Sequence, residues 1–93
     1  MKVRNMLSKK TGRNVPNQFI IEDGIGENWK VCFQSYSTVI AEVTSDGLIL
    51  DENAENYSRT TSKYLYKFIS EYIGENYACR DELHHFKRKN LNA

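Results

Sequence analysis

At 93 residues, with 40% apolar and 27% charged side chains and a net charge of +1, the chain suffices for one domain with a single core and is too short for two. The composition excludes intrinsic disorder, no apolar run approaches the roughly 18 residues of a membrane span, and the basic start Met1–Leu7 lacks the apolar stretch of a secretion signal. A cytoplasmic protein without membrane contact is expected, with Cys32 and Cys79 as free thiols of the kind that pack as small hydrophobes.

The charge is unevenly spread along the chain. Residues 1–20 carry five bases and no acid, residues 21–57 carry eight acids against Lys30, and residues 58–93 carry seven bases against four acids. A basic–acidic–basic chain of this kind can set up a field that steers a charged partner.

Lys9–Asn14 is rich in turn formers and predicts a loop between two short strands. Asn17–Glu22 is dense in β-formers, and Pro16 ahead of it suits the first position of a strand. After a turn at Asp23-Gly24-Ile25-Gly26-Glu27, the stretch Asn28–Tyr36 alternates. Trp29, Val31, Phe33 and Ser35 fall on one face, with Lys30, Cys32, Gln34 and Tyr36 on the other, as in a half-buried antiparallel strand. Thr38–Val43 reads as the next strand, with Val39, Ala41 and Val43 opposite Ile40 and Glu42. The turn Thr44-Ser45-Asp46-Gly47 then leads into Leu48-Ile49-Leu50.

The period changes after Asp51. Thr61, Leu65, Phe68, Ile69, Tyr72 and Ile73 are spaced three and four apart and define one stripe of an amphipathic helix over 58–74. Ser58 or Thr60 is its expected N-cap, and Gly74 its expected left-handed stop. A second helix is predicted over 75–89, packing through Tyr77, Cys79, Leu83 and Phe86. Lys87-Arg88-Lys89 would fall in its last turn, with a frayed tail after Asn90. The expected fold is a single α+β domain over 1–93. It comprises an antiparallel sheet of four to five strands (residues 2–50), then one long and one shorter helix packed on one face.

No catalytic or metal-binding pattern stands out. His84 and His85 are adjacent, so on a helix they point about 100° apart and cannot share an ion, and Cys32 with Cys79 forms no zinc motif. Gly24-Ile25-Gly26 lacks the third glycine and following helix of a phosphate loop. Neither a nucleophile elbow nor a serine–lysine pair is evident. No catalytic residue, metal or cofactor is therefore expected.

Two surfaces are candidates for binding instead. On the predicted helix Arg59, Lys63 and Lys67 lie four apart and form a basic row flanked by Tyr66 and Ser70. Basic side chains neutralise phosphates and aromatic rings stack on bases, so this row suits a nucleic-acid strand. The second candidate is the outer sheet face at Lys30, Gln34 and Tyr36 with the acidic loop Asp51-Glu52-Glu55. Tyrosine gives large contact area at low entropic cost. The expected partner-binding set is Tyr36, Arg59, Lys63, Tyr66 and Lys67.

The segments Phe33-Gln34-Ser35-Tyr36-Ser37-Thr38-Val39-Ile40-Ala41, Leu50-Asp51 and Tyr57-Ser58-Arg59-Thr60-Thr61-Ser62-Lys63-Tyr64 resemble a family of small phage and prophage proteins of unknown function. The resemblance covers roughly residues 2 to 70. Where family members often carry tryptophan near the start of the second motif, this chain has Glu55 and Asn56. The resemblance implies a mobile or viral genome in a bacterial host, where small proteins often occupy a host machine stoichiometrically, as anti-CRISPR and other anti-defence inhibitors do. The expected function is a non-enzymatic accessory protein, monomeric or homodimeric, that binds a host protein or nucleoprotein complex. The alternative is an accessory nucleic-acid-binding module that uses the basic helix face.

Overall fold

The structure, a computed structural model, describes residues 1–8 and 10–92. Its strands are β1 (Lys2–Leu7), β2 (Asn14–Asp23), β3 (Lys30–Ser35), β4 (Thr38–Thr44), β5 (Gly47–Asp51) and β6 (Lys87–Lys89). One helix, α1 (Arg59–Tyr72), separates the last two strands. The six strands form one sheet whose spatial order follows the chain. Neighbours are antiparallel through β5, and β6 joins β5 in parallel. A parallel pair needs a long crossover connection, which residues 52–86 supply. The α+β class holds, with six strands in place of four to five.

Alternation along the strands builds the core. One row crosses the whole sheet through Arg4, Ile20, Phe33, Ala41, Leu50 and Arg88. Its four apolar members are fully buried beneath α1. The two arginines at its ends tie the sheet to the helical layer. Arg4 donates to the Tyr72 hydroxyl at 3.2 Å, and Arg88 pairs with Glu55 just ahead of α1.

The helix forms where the period of three and four predicts it. Ser58 is the N-cap, its Oγ accepting from the Thr61 amide at 3.2 Å and so satisfying one of the first-turn donors. Thr61, Leu65, Phe68 and Ile69 are buried, with Tyr72 and Ile73 half-buried at the end of the stripe. Phe68 stacks on Phe33 at 5.9 Å between ring centroids. Each fully buried side chain of this size contributes roughly 1.5–3 kcal/mol relative to exposure. Gly74 does end the helix, but at φ 156° and ψ 150° rather than in the expected left-handed helical conformation. That region is open essentially to glycine alone.

Two irregularities redirect side chains in ways alternation does not foretell. Between β3 and β4, Phe33 faces Ala41 and Gln34 faces Val39, leaving Ile40 unpaired as a bulge. Ile40 thereby joins Ala41 and Val43 in the core, while Val39 stays half-buried. This corrects the expected grouping of Val39 with Ala41 and Val43 against Ile40. Between β1 and β2, Asn5 faces Phe19 but Leu7 faces Asn14, so β2 carries extra residues over the stretch containing Pro16. Pro16 therefore lies inside a longer strand, at a bulge, where its missing N–H disrupts no regular ladder. The loop expected at Lys9–Asn14 includes Lys9, outside the described residues; residues 10–13 turn and Asn14 opens β2. Gly24 is required where it stands, since a Cβ there would lie 2.1 Å from the Asn28 carbonyl oxygen.

The second helix expected over 75–89 does not form. Two 3-10 segments, Glu75–Tyr77 and Arg80–His85, take its place and are followed by β6. Of the apolar residues assigned to that helix only Leu83 is buried; Phe86 is half-buried, and Tyr77 and Cys79 are exposed. Without a continuous stripe to bury, nothing converts these short segments into an α-helix. Lys87-Arg88-Lys89 is accordingly a strand rather than a helix end. The tail is also held. Leu91 and Asn92 both donate to Asp51, and the Asn92 side chain bonds the Val39 backbone twice, accepting at 2.7 Å and donating at 3.0 Å.

Candidate functional site: a basic groove along α1

A groove of about 740 Å³ runs along the outward side of α1. The helix supplies one wall: Arg59, Lys63 and Lys67, with Ser62, Tyr66 and Ser70 beside them. This follows from helical geometry, because residues four apart share a face and the opposite face is committed to the core. Glu55 and Tyr57 close the end near the N-terminus of α1, and Glu75, Ala78 and Arg80 contribute from the chain beyond its C-terminus.

The side chains in this groove are differently engaged. Arg59, Lys63 and Arg80 are exposed. Lys63 Nζ lies 5.4 Å from the centre of the Tyr64 ring, within cation–π range. Lys67 is half-buried and donates its ammonium to the Leu7 carbonyl of β1, which fixes its position. Tyr66 is half-buried beside the row. The four bases of the groove face two acids, and Glu55 is already occupied by a two-pronged interaction with Arg88. The Arg88 hydrogen bond holds the Glu55 carboxyl below the usual range, with Arg80 adding to the effect. The lining of the groove thus carries more positive than negative charge.

Tyr36, the fifth residue of the expected set, is not among those lining the groove. It occupies the two-residue turn between β3 and β4, exposed, with φ of 55° and its amide bonded to the Asn17 carbonyl at 2.6 Å. This also removes it from the outer strand face on which alternation placed it with Lys30 and Gln34.

Of the acids in the loop of the second candidate surface only Glu52 is exposed, since Glu55 is half-buried and paired with Arg88. Asp51 is 2% exposed. Its Oδ1 accepts from the Leu91 amide at 3.1 Å and Asn92 Nδ2 at 3.2 Å, and its Oδ2 from the Tyr57 hydroxyl at 3.0 Å and the Asn53 amide at 3.3 Å. Burial by itself raises the Asp51 pKa, and these four bonds to the charged form more than reverse that, holding it below the ordinary value. The Tyr57 hydroxyl is pushed up, by burial first and then by its bond to Asp51. Asp51 is a structural anchor.

The two sequence motifs meet in space. Ser35, from the first, and Thr61, from the second, are both buried and share a hydrogen bond of 2.8 Å between their hydroxyls. Within Tyr57–Tyr64, the fold uses Tyr57 to reach Asp51, Ser58 to cap α1, and Thr61 and Tyr64 in the core. Arg59 and Lys63 remain exposed on the groove.

The histidines lie elsewhere. His85 pairs with Glu82 at 2.7 Å, and the rings of His84 and His85 are 4.0 Å apart. Among the described residues no group of three or more His, Cys, Asp or Glu side chains is gathered as a metal ion would need, and no helix is long and apolar enough to cross a membrane.

Fold and groove together define a small α+β domain in which one helix covers one face of an open sheet and offers its outer side as a basic channel. Residues 1–85 match a family of unknown function, DUF8033, and the chain belongs to that family. The match reaches past the stretch that carried the sequence resemblance and ends just before β6. No curated protein and no solved structure gave a significant match.

Proposed function

We propose that this protein is a non-enzymatic accessory protein of the phage or prophage type. In this reading it acts in the cytoplasm of a bacterial host by docking a host protein or nucleoprotein complex against the α1 groove, in the manner of an anti-CRISPR or other anti-defence inhibitor. The observation that carries the binding half is the convergence of Arg59, Lys63, Tyr66 and Lys67, joined by Arg80, on one groove of about 740 Å³. Arg59 and Lys63 are presented outward by a helix whose inner face is spent on the core, while Lys67 is half-buried and held by the Leu7 carbonyl of β1. The phage setting is supported by the resemblance of the two motifs.

The test places a photo-crosslinking amino acid at Ser62, inside the groove, and expresses the full chain in lysogenic bacteria. A defined host component should crosslink to this chain and be lost when Arg59→Glu and Lys63→Glu are added, with the melting curve unchanged. Equal crosslinking by both chains, or none, refutes the groove as the working surface. Purified chain added to a panel of CRISPR effectors and other defence complexes should inhibit one of them; failure across the panel refutes the inhibitor role.

A further inference from the structure

We infer that the groove holds a single strand of nucleic acid, with its sugar–phosphate backbone along the α1 row and a base against Tyr66. The inference rests on the reading that the groove is the working surface, and it names the ligand. Three features favour a strand over other anions. Arg59, Lys63 and Lys67 follow one another at about 6 Å, four residues at 1.5 Å rise. Their backbone positions form a stepped line rather than a cluster around one point, an arrangement that suits a repeating phosphate backbone. Arg59 and Lys63 are exposed, and the Lys67 ammonium is held at the Leu7 carbonyl. Arg80 lines the opposite wall together with Glu75, so that wall adds one cation and one carboxylate to the row of α1 and the lining stays positive in sum.

Aromatic and hydroxyl groups lie beside this line. Tyr66 borders it, and Ser62 and Ser70 add hydroxyls that can donate to phosphate or sugar oxygens. A basic track beside an aromatic platform is the arrangement by which proteins hold single strands without reading sequence. Shape argues against a duplex. Duplex DNA is read by convex elements that enter its grooves, whereas this surface is concave, with walls from α1 and residues 75–80. Tyr66 packs one side against the core, and as a half-buried residue of the groove lining it leaves part of its ring to the ligand.

The experiment measures fluorescence anisotropy of labelled oligothymidylate and oligouridylate with the full chain. A duplex of the same length and polyglutamate serve as competing probes. The single strands should bind at least about tenfold tighter than either competitor, with log affinity falling against log salt by about 0.7 per phosphate neutralised. Arg59→Glu with Lys63→Glu should abolish binding. Tyr66→Ala should weaken it about fivefold or more while leaving the salt slope unchanged, and Tyr66→Phe should restore it, because stacking needs the ring and not the hydroxyl. Polyglutamate or duplex bound as tightly as the single strand overturns the inference, as does an unaltered affinity for Tyr66→Ala. Absence of binding to every probe at low salt also overturns it. If the Ser62 crosslink to a host protein survives in that case, the groove stands as a docking surface for protein and only the ligand assignment falls.

Discussion

Replacing Asp51 by asparagine removes one charge and almost no volume from the point where the tail, β5 and the residues before α1 converge. The carboxylate accepts four hydrogen bonds, two on each oxygen. An asparagine keeps one acceptor oxygen and turns a donor toward the other pair. The cheaper orientation sets its amide toward Tyr57, whose hydroxyl can reverse and accept, and leaves the Asn53 amide facing a donor. Hydrogen bonds to charged groups contribute about 1.5–3 kcal/mol each, so one lost outright and the others weakened amount to about 2–4 kcal/mol. In a domain of this size that lowers the melting temperature by roughly 10–20 °C.

The pH dependence carries the same signature. The folded-state pKa of Asp51 is depressed below its ordinary 3.8, so its contribution is complete above that value and is lost as the pH falls toward the folded-state pKa. Glu55, also depressed, adds in the same direction in both proteins. Urea unfolding followed by circular dichroism should therefore show a large gap between wild type and Asp51→Asn at neutral pH that narrows below about pH 4. Hydrogen exchange at the Leu91 amide should accelerate in the variant. Equal midpoints at neutral pH, or a gap that does not change with acid, would show that Asp51 is not the anchor.

Two further substitutions test the irregular strands. Ile40→Ala should cost about 2–5 kcal/mol, as for a fully buried aliphatic, whereas Val39→Ala should cost clearly less; urea midpoints of the pair in the reverse order would contradict the bulge. Tyr36→Gly should raise stability by about 1 kcal/mol, because a residue with a Cβ pays roughly 1–2 kcal/mol in the left-handed region and this side chain is exposed; a lower melting temperature would show that the ring packs.

The parts of the fold that sequence made legible are those governed by a single period. Val31, Phe33 and Ser35 alternate and are buried, and the α1 stripe from Thr61 to Ile69 is buried at the helical spacing. Where a local pattern competes with a distant one, it misleads. Ile40 breaks alternation because the register against β3 shifts by one residue, and no pattern within Thr38–Val43 records that. The stretch 75–89 has helix formers and enough apolar residues, yet its fate is set by partners remote in sequence. Arg88 finds Glu55, and Leu50, Arg88's neighbour across the sheet, lies in β5. A basic triplet at a helix end and a basic triplet in an edge strand look alike until the strand beside it is known.

The groove shows the same division, and the reason is topological. Its α1 wall was readable, since three cations four apart must share a helix face wherever the helix packs. Arg80 and Glu75 belong to the same channel but come from the stretch expected to be a second helix, and only the reversal at Gly74 brings them alongside α1. The electrostatics of the channel are likewise decided off the helix. Counted along the chain, Glu55 belongs to the acidic stretch and would weaken a basic site. In the fold, Arg88 of the parallel strand occupies it, and Asp51 holds the tail that follows that strand. A carboxylate already satisfied by a guanidinium repels an incoming anion far less than a free one. The short C-terminal strand, outside the matched stretch 1–85, therefore does more than extend the sheet: it leaves the cations of α1 and Arg80 to set the sign of the groove.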